Sequence, residues 1–187
     1  MGRMKSITWW WVVMNLKNTI PSNGPDEPMH AHETSSPNAK KLAALVGQET
    51  KPSDWFEVTQ ERINAFADTT EDRQFIHVSP EKAQAAGLPG TIAHGYLTLS
   101  LLTHLMAQSE IFDDSSGMWI NYGSDTVRYL RPVRPGDRIR SHQMIKAMEP
   151  RKKNQWLVRI AVKIEIASAR RPALVAEVLA LWVEPES

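Results

Sequence analysis

Cysteine is absent from this chain of 187 residues. Disulfides, thiolate metal sites and cysteine nucleophiles are therefore excluded, and a cytoplasmic location is the expectation. An excess of one charge sign is lacking as well. With 22 basic and 21 acidic residues the formal net charge is +1, so the chain has no electrostatic footprint for nucleic acid or a membrane surface. No apolar run approaches the ~20 residues that a bilayer-spanning helix needs. Ile7-Thr8-Trp9-Trp10-Trp11-Val12-Val13-Met14, preceded by Arg3 and Lys5, is far too short, and no small-x-small cleavage site follows it. Asn-x-Ser/Thr acceptors, Gly-x-Gly-x-x-Gly, the P-loop and His-Glu-x-x-His are missing too. Neither a metal nor an organic cofactor is expected.

What is present suffices for one domain and a tail. A hydrophobic fraction of 42% supplies a core. Residues 1–38 read as a disordered or extraneous N-terminal extension, with three tryptophans offering a membrane-interface anchor as the alternative. Pro21 to Asn38 carry little to bury. His30 and His32 lie there without further ligands. The globular part, 39–187, opens with a short helix from Asn38, carrying Leu42, Leu45 and Val46 and stopped by Gly47. Trp55 to Val58 reads as a strand. Thr59 caps a helix with Ile63, Phe66 and Ala67 at helical spacing. Ser79-Pro80-Glu81 starts a second short helix that ends near Ala86.

From His94 to about Gln108 the pattern is helical and apolar nearly all round, which predicts a long buried helix. Strands are expected at Met118–Tyr129, Arg138–Met148, Trp156–Ile166 and Val175–Val183. The third shows a clear period of two, and the fourth is apolar on both faces, as a covered central strand should be. The whole is α+β: an antiparallel sheet wrapped on a central helix.

One constellation carries chemistry. Asp72 and His77 fall in one short turn, and seventeen residues later His94-Gly95 heads the apolar helix. In a loop, a carboxylate and an imidazole at this spacing can face one cavity and hold one water. Alternatively Asp72 caps the next turn and His77 is a satisfied loop histidine. Gly95 shifts the balance, because amides at a helix N-terminus favour an anion such as a thioester enolate oxygen. It also permits close helix packing. His94 shapes the helix entrance. Thr103, two turns on, either hydrogen-bonds a nearby carboxylate or is an ordinary buried threonine. His104 and His142 stand isolated. Arg128, Arg131 and Arg134 bracket a Pro-rich turn and could meet the phosphates of a nucleotide-bearing substrate, although solvated charges are the plainer reading.

The stretches ADTTEDRQFIHVSPEKAQAAGLPGTIAHGYLTLSLL and NYGSDTVRYLRPVRPGDRI resemble the MaoC-like, (R)-specific enoyl-CoA hydratases with their hydratase 2 motif. VGQETKPSDWFEVTQERINAFADTT looks most like the NodN-type branch of single-domain members. The resemblance spans roughly Ala43 to Val183. It implies a hotdog fold, a homodimer with its active site near the subunit interface, and reversible hydration of trans-2-enoyl-CoA to (R)-3-hydroxyacyl-CoA. By position, Asp72 and His77 match the catalytic dyad and Gly95 the oxyanion-hole glycine, with Gln74, His94 and Thr103 supporting. Many members carry Asn and Pro where this chain has Gln74 and Phe75, a departure that bears on substrate range. Two other functions fit the same residues: a hotdog acyl-CoA thioesterase, and a non-catalytic acyl-CoA-binding protein.

Overall fold

The computed structural model describes residues 36–112, 117–151 and 154–184. Most of the N-terminal extension, with His30 and His32, therefore lies outside the described residues. Helix α1 spans Pro37–Ala44, two residues ahead of its core. It starts at Ser36, whose Oγ accepts the Ala39 N–H, with Pro37 at the first helical position. The start expected at Asn38 is thus displaced to a Ser-Pro cap, the same device that opens a later helix.

A two-residue strand, β1 (Phe56–Glu57), leads into α2 (Gln60–Thr70), capped by Thr59 as expected. Short helices α3 (Phe75–Val78) and α4 (Pro80–Ala85) follow, then α5 (Gly95–Ser100) and α6 (Leu102–Met106). Four long strands complete the chain: β2 (Met118–Tyr129), β3 (Arg138–Pro150), β4 (Gln155–Ile166) and β5 (Leu174–Val183). Together with β1 they form one five-stranded antiparallel sheet in the order β1-β3-β4-β5-β2.

The period-two pattern of β4 puts Val158, Ile160, Val162, Ile164 and Ile166 at 0–1% exposure against the helices. Leu97, Leu101, Leu102, Leu105 and Met106 share that cluster with Ile139, Ile145 and Leu174. Each such side chain contributes roughly 1.5–3 kcal/mol on burial, which is what holds helix and sheet together. This is the curled sheet around a central helix that defines the hotdog arrangement. The outward positions of the strands carry charge instead. Arg159 on β4 reaches Glu149 at 3.0 Å and also pairs with Asp125 and Glu177, and Lys146 pairs with Glu177.

Three expectations need correction. The central helix is not one run from His94 to Gln108 but two pieces meeting at Leu101. Thr98 and Ser100 donate their hydroxyls back to the carbonyls of His94 and Tyr96, which competes with the helical ladder just before the break. The helix is also not covered on every side. Tyr96, Ser100, Thr103 and Ala107 form a stripe at helical spacing that is exposed in the protomer. Lastly, His142 is not isolated. It is buried between Glu49, 3.2 Å from Nδ1, and Glu165, 2.7 Å from Nε2.

Candidate active site

The site grows from the loop after α2. Glu71 ends that helix in the left-handed region (φ 59°), and this reversal turns Asp72 back toward the body of the domain. Three residues later α3 begins, and its third residue is His77. The intervening Gln74 is exposed; its backbone carbonyl accepts the His77 N–H at 2.9 Å, while its side chain makes no cap.

Gln60, from the first turn of α2, fixes this region. Its Nε2 donates to the His77 carbonyl at 2.8 Å, and its Oε1 accepts the Thr91 hydroxyl. The loop before α5 is bonded on both sides, Ile92 N–H to the Ile76 carbonyl and Ala93 N–H to the Val133 carbonyl. That seats the Ile92 carbonyl 2.7 Å from His77 Nδ1. A carbonyl can only accept, so Nδ1 carries the hydrogen. In neutral His77 the lone pair is consequently on Nε2.

His94 lies against the same ring. The two imidazoles stack with centroids 3.7 Å apart, and Phe66 closes the far side of His94 at 5.1 Å. His94 Nε2 donates to the Asp72 backbone carbonyl at 2.9 Å and lies 3.9 Å from the Asp72 carboxylate. Its Nδ1 is buried without a partner among the described residues.

Asp72, His77 and His94 each offer a polar atom within 4.8 Å of the others. The side chains of Asp72 and His77 share no direct hydrogen bond, and a separation within 4.8 Å is one that a single water can bridge with two bonds of ordinary length. A metal would need ring lone pairs that converge on one point ~2 Å from each nitrogen. Stacked imidazoles direct theirs side by side, so the cluster suits proton handling better than chelation.

Gly95 follows His94 as the first residue of α5, where the N–H has no acceptor within the helix. A Cβ here would meet the Tyr129 ring at 3.1–3.3 Å, so the absence of a side chain also lets β2 close on the helix end. Both readings of this glycine are thus compatible with one geometry.

Thr103 departs from both readings made for it. It is exposed, and it has no hydrogen-bonding carboxylate among the described residues. It lines a cavity of about 550 Å³ between α5–α6 and the sheet, together with Leu99, Met106, Phe112, Trp119 and Leu179. Sequence reasoning missed the Ile92 carbonyl and Gln60. A main-chain acceptor leaves no trace in residue identity, and Gln60 looked like an ordinary first-turn helix residue.

Comparison with known proteins supplies the context. The MaoC like domain family matches residues 41–165. The 3-hydroxyacyl-thioester dehydratase Z of Mycobacterium tuberculosis is 38% identical over 76% of this chain and 93% of its own length. Nodulation protein N of Rhizobium leguminosarum bv. viciae is 40% identical over 72% of this chain and 84% of its own. A MaoC-like dehydratase from Rhodospirillum rubrum superposes with a TM-score of 0.64 at 21% identity, covering 76% of this chain and 94% of that one, so the two share a fold. On these grounds the chain belongs to the MaoC-like domain family.

Proposed function

We propose that this protein is an (R)-specific enoyl-CoA hydratase, a hydro-lyase that adds water reversibly to trans-2-enoyl-CoA. The observation that carries the reading is the approach of polar atoms of Asp72 and His77 to within 4.8 Å of each other, in the segment before the N-terminus of α5. Both side chains act as acceptors for the two hydrogens of one water, Asp72 through its carboxylate and His77 through Nε2. The water oxygen then adds to C3 of the enoyl group while Asp72 takes its proton. Charge moves to the thioester oxygen, where the Gly95 N–H and the helix dipole stabilise it. The proton held by Asp72 passes to C2 on the same face, so the addition is syn.

The acyl chain occupies the cavity lined by Leu99, Thr103 and Met106. Arg128, Arg131 and Arg134 meet the phosphates of coenzyme A. The working unit is a homodimer. Strand β2 is the edge of the sheet, and Met118, Ile120 and Tyr122 on it are 41–62% exposed, a surface that a second copy would cover.

The test is hydration of crotonyl-CoA, followed as loss of the conjugated thioester absorbance, with free thiol measured in parallel. Asp72→Asn and His77→Gln should each abolish hydration while the protein stays folded and dimeric. Full activity in either variant would overturn the assignment. Thiol release without hydration would make the protein a thioesterase, and binding without turnover of any chain length a carrier or scaffold.

A further inference from the structure

We propose that the Tyr129 hydroxyl is a second hydrogen-bond donor to the thioester oxygen, acting with the Gly95 N–H; this rests on the hydratase reading above. Tyr129 is the last residue of β2. Its ring lies over the first residue of α5, with Cε1, Cζ and Cδ1 at 3.1, 3.2 and 3.3 Å from the place a Cβ would take on Gly95. The hydroxyl is one bond beyond Cζ, at the same helix end as the amide. Neighbouring contacts hold it there. The next two backbone amides, Leu130 and Arg131, both donate to the Ala173 carbonyl, and Tyr96 meets the ring edge-on at 6.4 Å.

The hydroxyl has no hydrogen-bond partner among the described residues, and Tyr129 remains 47% exposed, so the group is open to a ligand. Partial burial, with Tyr96 adding to it, holds the phenol above its ordinary pKa, which keeps the donor hydrogen in place through neutral and mildly alkaline pH. An enolate oxygen has lone pairs for two donors, and a single amide leaves one unused. No proton is transferred in this role; the hydroxyl only donates a bond that strengthens as charge develops. A methyl at residue 95 would meet the ring at 3.1–3.3 Å, and the ring, with its hydroxyl, would have to give by a few tenths of an ångström.

Tyr129→Phe keeps the ring and removes the donor. Loss of one oxyanion donor costs ~10²–10³ in kcat in well-ordered holes. At this half-exposed site we expect a fall of at least ~10-fold on crotonyl-CoA with KM changed far less. A second readout needs no turnover. The carbonyl stretch of bound butyryl-CoA, labelled with carbon-13 at the thioester and unable to be hydrated, should lie below that of the free thioester in wild type. It should move back part-way in Tyr129→Phe. Equal kcat and equal frequency in the two proteins overturn the inference and leave the hydratase reading intact. Absence of hydration in wild type with a Tyr129-dependent carbonyl shift does the reverse. Absence of both overturns both. Should Tyr129→Phe fail to fold, site-specific difluorotyrosine at 129 retains ring and hydroxyl but donates more strongly. It should lower the frequency further, and an unchanged frequency counts against the proposal.

Discussion

His77 and His94 lie face to face, their planes inclined by 25°. The first is tied to the Ile92 carbonyl and the second to the Asp72 carbonyl, so the stack couples the two sides of the proposed water site. His94→Phe would keep the aromatic contact with His77 and Phe66 and lose the bond to Asp72. A net hydrogen bond contributes ~1 kcal/mol, and the buried, unpartnered Nδ1 of His94 costs a comparable amount. The variant should therefore melt no lower than wild type while kcat on crotonyl-CoA falls by ~5–10-fold. Calorimetry and the hydration assay together check this opposition.

The cavity between α6 and the sheet should set acyl length. Ala107 lines it and is exposed, so a larger side chain there meets no packed neighbour. Ala107→Phe should leave crotonyl-CoA turnover within a factor of ~3 and depress kcat/KM for octenoyl-CoA by ~10-fold or more, as a lost or blocked methylene-sized pocket does. A parallel fall for both substrates would place the chain elsewhere.

How much of this was legible beforehand varies with the range of the interaction. β2 was bounded correctly, with a Pro-rich loop marking its end, and β4 to within one residue because of its period of two. Asp72, His77 and Gly95 stood out because residue type and spacing are local properties. The exposed stripe of the central helix was misread because Tyr96 and Ala107 count as apolar by composition although both are exposed among the described residues. The Tyr129 ring over Gly95 joins positions on different elements, and the pairing of His142 with Glu49 joins positions 93 residues apart. No periodicity carries such contacts.

The exposed edge of β2 gives a third expectation. Ile120→Lys places a charge on the strand edge, the device by which sheets avoid pairing. Light scattering should report a monomer, with hydration falling alongside the dimer fraction. A stable dimer in this variant would move the interface away from β2.

Acid sensitivity should arise partly at Glu165. Burial there opposes ionisation, but hydrogen bonds from His142 and Arg140 outweigh it and hold the carboxyl below its usual range. A lowered folded value means that the ionised group stabilises the fold above the ordinary carboxylate range and that this is lost as pH falls through the folded value. The Tm gap between wild type and Glu165→Gln should thus be widest near neutrality and should narrow toward pH ~3. A gap independent of pH would count against this account.

The side chain of Gln60 touches α2, the carbonyl of His77 and the hydroxyl of Thr91, three segments that the chain visits separately. Elements tied at one point tend to open together. The amides of His77, Ile92 and Ala93 are each hydrogen-bonded in this region and should exchange with solvent deuterium as one cooperative unit rather than three. Replacing Gln60 by Ala would lower the protection of all three by a common factor and leave the amides of β4 at their original rates. The rigidity of the proposed water site is in that sense a property of a residue outside its motif.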